Sequence, residues 1–113
     1  MGKSDCVFCD IVAGRIPSPH CLATDRAVVI RDISPVAPNH FLVLTRAHVA
    51  SLNEASADTV AGLFEAASRW ARQEGFDREG YRAVINVLER GGQTVPHLHL
   101  HLLAGRQMTW PPG

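Results

Sequence analysis

His97-Leu98-His99-Leu100-His101-Leu102 places three imidazoles and three leucines in strict alternation. Half of the six histidines fall here, a clustering that composition alone would give with a chance of roughly one in sixty. A period of two is that of a strand. On a strand the leucines face a core and the imidazoles face the other way, successive rings roughly 6.5–7 Å apart. A helix would put His99 on the far side from His97 and His101 and scatter the leucines. The strand therefore gathers three groups able to act as nucleophile, acid, base or metal ligand near neutral pH. A solvated polar face would be served as well by Thr, Lys or Glu, so repeated His points to chemistry.

Just upstream lies Gly91-Gly92-Gln93-Thr94. Two glycines let the backbone approach an anion closely and aim N–H groups at it. The Thr94 hydroxyl and Gln93 amide can add donors. By itself this stretch is more simply a plain turn; beside the histidine strand it reads as a phosphate cradle. No Lys-Ser/Thr follows, which excludes a Walker loop.

The rest of the chain supplies a scaffold. Asp5 can cap a short helix over residues 6–13, which Gly14 ends. Strands are expected over residues 21–24, 27–32, 40–45, 81–87 and 98–104. The main helix is expected over residues 56–74, capped by Ser56 and stopped by Gly75. Its apolar stripe is Val60, Leu63, Phe64, Ala67, Trp70 and Ala71, a core or subunit-interface face. This pattern predicts an α+β fold with a mostly antiparallel sheet.

At 113 residues the chain is expected to form a single domain spanning 1–113. It is 46% hydrophobic and 19% charged, which argues against disorder. Eleven basic residues balance eleven acidic ones, so no dedicated nucleic-acid or membrane surface is expected. The apolar runs are strand-sized. Met1 to Cys6 carries no apolar signal segment and makes a poor myristoylation site, so a cytoplasmic protein is expected. Cys6-x-x-Cys9 has metal-ligand spacing, with His48 and the histidine strand as sources of further ligands. The alternative is two buried apolar thiols, a common state of free cysteine. Cys21 reads as a core or strand thiol.

Gly92-Gln93-Thr94-Val95 followed by His97-x-His99-x-His101-Leu102-Leu103 resembles the signature of the histidine triad superfamily. Asp5-Cys6-Val7-Phe8-Cys9, Asp32-Ile33-Ser34-Pro35, Pro38-x-His40-Phe41-Leu42-Val43-Leu44 and the ending Trp110-Pro111-Pro112-Gly113 agree in order and spacing. The tail resembles that of the Hint branch, homodimeric purine nucleoside phosphoramidases. The resemblance implies a five-stranded sheet extended across a homodimer. It implies that His99 attacks the α-phosphorus to form a nucleotidyl-histidine. His101 would contact the phosphate and help protonate the leaving amine, His97 would orient its neighbours, and His40 would support the relay. Asn86, Gly92, Gln93 and Thr94 would surround the phosphate and leaving group. Asp32 would bind the ribose hydroxyls, and Phe8, Ile11, Ile33 and Leu42 would pack the nucleoside. Trp110 would reach toward the partner's site. Read without the resemblance, Asp32 is better explained as a turn cap before Ser34-Pro35.

Some bacterial members of the superfamily hold a structural zinc with a Cys-x-x-Cys pair. By that resemblance the ligands here would be Cys6, Cys9, His48 and His97. Such a site can contribute on the order of 10 kcal/mol to folding. If the His97 ring is a ligand it is no acid or base, and only its backbone serves His99. Pro96, the segment Val87-Leu88-Glu89-Arg90, Arg31 and Thr109 depart from the Hint pattern and bear on leaving-group preference. Three other readings stand beside the phosphoramidase: a dinucleoside polyphosphate hydrolase, a zinc hydrolase with the three triad imidazoles as ligands, and a nucleotide-binding interaction protein with little activity.

Overall fold

The structure is a computed structural model describing residues 4–113; the Met1-Gly2 start lies outside the described residues. Five antiparallel strands form one sheet: β1 (Leu22–Ala23), β2 (Ala27–Arg31), β3 (Asn39–Thr45), β4 (Arg82–Val84) and β5 (His99–Ala104). Their order is β1-β2-β3-β5-β4, so β5, the last in sequence, lies between β3 and β4. A short helix α1 (Val7–Val12) and a long helix α2 (Ala57–Glu74) complete the fold.

Alternation along the strands makes two distinct faces. Ala27 and Val29, Phe41 and Val43, and Leu98, Leu100 and Leu102 form one core with Leu63, Ala66, Ala67, Trp70 and Ala71 of α2. Each of these leucines is at most 1% exposed, and burying such a side chain stabilises by about 1.5–3 kcal/mol. Val28, Ile30, Leu42 and Leu44 point the other way and pack under Phe8 and Ile11 of α1. The histidines share this second face: His101 lies opposite Leu42, and His99 opposite Leu44.

The long helix keeps its expected boundaries. Ser56 Oγ accepts from Thr59 N at 3.1 Å. Gly75 takes the left-handed conformation (φ 82°) that lets its N–H close on the Ala71 and Arg72 carbonyls. Phe64 departs from the expected stripe, being 48% exposed, while Ala66, outside that stripe, is fully buried. Phe64 lies about 100° around the helix from Leu63, at the margin of a contact made mostly by small residues.

The other differences are local. Cys6, not Asp5, caps α1, its Sγ accepting from Cys9 N at 3.3 Å. The outer strands are shorter than expected: β1 spans two residues and β4 three. Asp32 falls beyond β2 because its side chain caps a turn, Oδ1 accepting from Ser34 N at 2.7 Å. A 3-10 turn at Leu52–Glu54, for which the apolar pattern has no signal, leads into α2. His97 and Leu98 precede β5, because His97 N turns back to Val95 O at 2.8 Å.

Candidate active site and metal centre

Burial of the histidine face departs from an open row of imidazoles. The helix α1 roofs part of it, leaving His97 at 0% and His99 at 6% exposure, with His101 half-buried. The Phe8 ring stands edge-on to both buried imidazoles, with centroids 5.9 Å from His97 and 5.0 Å from His99. His99 is nevertheless open at one atom. Its Nδ1 donates to the His97 carbonyl at 2.7 Å, which leaves the lone pair on Nε2. That Nε2 has no protein partner among the described residues, and it is not sealed from solvent.

A second chain of contacts assigns the other tautomers. Val36 N–H donates to His40 Nδ1 at 3.1 Å, so the His40 proton sits on Nε2. This Nε2–H lies 2.9 Å from His101 Nδ1 and 3.3 Å from Asp32 Oδ2. His101 Nδ1 therefore accepts, and its Nε2 carries the proton, likewise without a protein partner among the described residues. Burial first, then the nearby His99 and His40, pushes His101 down to about 4. Burial also lowers His40, against the opposing pull of Asp32. The two free Nε2 atoms are thus a lone pair on His99 and an N–H on His101, on rings 5.1 Å apart.

They open on a cleft of about 320 Å³. Phe8, Ile11, Ile33 and Leu42 give it apolar walls, and Asp32 and Thr94 line it beside His99 and His101. Six of the ten residues expected to hold a nucleotide are thereby brought together. Asn86, Gly92, Gln93 and Trp110 do not line this cleft. Gln93 is a brace instead: its Nε2 donates to the Ala50 and Val95 carbonyls, and its Oε1 accepts from Leu88 N. The paired glycines first serve the turn. A Cβ on Gly91 would run into the Val87 backbone, and Gly92 has φ +81°. Leu88 also takes a left-handed conformation, φ 57°, within this turn. Trp110 is 83% exposed, and Arg82 anchors the preceding residue through Thr109 O at 2.7 Å, at the β4 edge of the sheet.

Cys6, Cys9, His48 and His97 converge elsewhere, from the start of α1, the loop after β3 and the segment before β5. Cys6 Sγ is 3.2 Å from His97 Nδ1, Cys9 Sγ is 3.2 Å from His48 Nδ1, and the two Nδ1 atoms are 3.3 Å apart. A tetrahedral zinc with ordinary bond lengths has N–N edges of about 3.3 Å and N–S edges of about 3.5 Å, so the donor set fits the ion. The His97 tautomer fits as well. Its Nε2–H donates to Thr45 O at 2.8 Å, turning the Nδ1 lone pair toward the thiols. Burial first, and then Cys6, raises the Cys9 thiol to about 11, a cost that a bound cation reverses by taking the thiolate. The three triad imidazoles do not share one point: His97 turns to the thiols, while His101 turns to His40.

Residue-type reasoning had no signal for Thr45 O or Val36 N, because backbone atoms are present in every residue. Together with the His97 carbonyl, whose backbone the resemblance had already placed beside His99, they fix three tautomers.

Residues 13–108 match the HIT domain family. The chain is 44% identical over 114 aligned positions to a HIT-like protein of Synechococcus elongatus, covering 98% of this chain and 99% of that one. It is 39% identical to a 14 kDa zinc-binding protein of Brassica juncea, covering 96% of this chain and all of the relative. The crystal structure of a HIT family hydrolase from Legionella pneumophila superposes with a TM-score of 0.91 at 44% identity, covering 96% of this chain and 100% of that one. With its histidine strand, its two-faced antiparallel sheet and these likenesses, the chain belongs to the HIT, or histidine triad, family.

Proposed function

We propose that this chain hydrolyses purine nucleoside 5'-phosphoramidates to a nucleoside monophosphate and an amine, through a nucleotide carried on His99. The observation that carries this reading is the His99 imidazole. Its Nδ1–H is fixed on a backbone carbonyl, and its Nε2 lone pair opens on a cleft with apolar walls and one carboxylate. Imidazole is nucleophilic at neutral pH without a strong base. His99 Nε2 forms a bond to the α-phosphorus while the P–N bond to the amine breaks. The amine departs with a proton taken from solvent, while neutral His101 donates its Nε2–H to the departing group as a hydrogen bond. The positive charge that nucleotidylation places on the His99 ring, centred 5.1 Å from that of His101, strengthens this donor. Water then attacks the phosphorus and gives up one proton to solvent, and cleavage of the P–Nε2 bond restores His99. His40 keeps the His101 lone pair engaged throughout.

Asp32 would accept from the ribose hydroxyls with the lone pairs left beyond its turn cap. Thr94, at the cleft wall, would donate to the phosphate. Asn86, Gly92 and Gln93 would act on the leaving-group side through the turn they shape. Zinc on Cys6, Cys9, His48 and His97 would supply a fixed cross-link between α1 and the approach to β5. The name of the Brassica juncea relative supports such a site.

The active unit would be a homodimer. β4 is an edge strand, Tyr81 and Phe64 are exposed, and the tail bearing Trp110 is tied to that edge. The chain would act as one domain in the cytoplasm; no helix among the described residues is long and apolar enough to cross a membrane.

Rapid-quench analysis with adenosine phosphoramidate tests the reading. The expected result is a burst and an acid-labile AMP adduct, both lost in His99→Ala. Tight AMP binding with no turnover would replace it with a nucleotide-binding interaction protein. An adduct persisting in His99→Ala would remove His99 from its role.

A further inference from the structure

We propose that Cys6 and Cys9 are positioning residues for the nucleotide, so that zinc binding and nucleotide binding strengthen one another. This rests on the nucleotide reading above and concerns what governs affinity. Helix α1 has only six residues, Val7–Val12, too few to be stable alone. Its cap Cys6 and its Cys9 reach the donor cluster. Its Phe8 and Ile11 form walls of the cleft. One short helix therefore carries half of one site's ligands and a wall of the other.

A second route joins the same two sites. His97 offers Nδ1 to the donor cluster, and its carbonyl receives the His99 Nδ1 proton at 2.7 Å. Holding the His97 ring by metal and by Thr45 O fixes the peptide that aims the nucleophile. Phe8 lies between the routes, edge-on to both rings. An ion that holds α1 and His97 in place lowers the ordering cost of nucleotide binding. By linkage, nucleotide must then hold the ion by the same factor. Other ties hold α1 as well: Asp10 accepts from Ser4 N and Arg15 Nε, and His20 Nε2 lies 3.0 Å from Ile11 O. These contacts keep the helix close to the sheet without zinc, so weaker binding rather than its complete loss is expected.

The test uses the full chain loaded with zinc, with AMP as the probe and a chromophoric chelator as the metal acceptor. AMP at saturation is expected to slow zinc release about tenfold, and stripping zinc to weaken AMP binding. Release is read on the loaded protein, so the measurement does not depend on a stable metal-free form. Phe8→Leu, which alters no ligand, is expected to reduce the effect of AMP on zinc release. Cys9→His, which retains four donors, is expected to preserve it, whereas Cys9→Ser is expected to weaken both ligands together. AMP that binds the loaded protein but leaves zinc release unchanged overturns the coupling while sparing the nucleotide reading. AMP that does not bind the loaded protein at all overturns both.

Discussion

The two faces of the sheet are built on different principles. On the α2 face, side chains do the work: leucine, valine and small helix residues fill a dry core, and each partner is replaceable by another of similar volume. On the α1 face, backbone groups do much of it. The His97 and Thr45 carbonyls and the Val36 N–H each fix the state of one imidazole. The first face makes the protein stable, and the second makes particular nitrogen atoms available. Mutations should separate the two, with the first face reporting in stability and the second in chemistry.

The largest separation is expected at His99. His99→Ala should lower phosphoramidate turnover on the order of 10⁴-fold or more, with a small change in melting temperature. If turnover survives, the catalytic face has been misassigned. Leu100→Ala, one residue along but on the other face, should cost about 2–5 kcal/mol in denaturant unfolding. Its turnover per folded molecule should stay close to that of the parent, and a selective loss of turnover would erase the distinction between faces.

Acid should act through the histidine face. His101 and His40 are held below the ordinary 6.5, each first by burial, and stay neutral in the folded chain where unfolded imidazoles take up protons. The unfolded chain thus binds more protons between about pH 6.5 and 4, so stability declines as pH falls through that window. Melting curves across it should be steeper for the parent than for His101→Asn, and equal slopes would contradict the assigned cause. The smallest expected effect is at the tail. Trp110→Ala should alter relative rates among amine leaving groups by a few fold, leaving burst amplitude intact. An equal loss for every substrate would separate the tail from selectivity.

Much of this was legible in the chain. The alternation from His97 to Leu102 implied a strand with two unlike faces, and Ser56 and Gly75 marked the ends of α2. The six cleft residues and the four thiol and imidazole donors were named by resemblance, and geometry brings each set together. Less was legible where tertiary contacts override local pattern. Phe64 satisfies the helical period yet lies beyond the edge of the sheet contact. Gln93 has donors suited to an anion but spends them on two carbonyls of the turn. The burial of His99 depends on α1, which is remote in sequence and short enough that periodicity barely registers it. Asp32 meets its turn-cap reading with one oxygen and faces His40 with the other.

The placement of β5 between β3 and β4 has a consequence for biosynthesis. Strands β1 to β3 are joined as successive neighbours and can pair as they emerge from the ribosome, whereas β4 has no neighbour until β5 arrives. A nascent or truncated polypeptide stopping before His97 would already contain His40, Asp32 and both N-terminal thiols. It would lack the segment that brings His97, His99 and His101 beside those groups, so neither the cleft nor the four-donor cluster can form on an unfinished translation product.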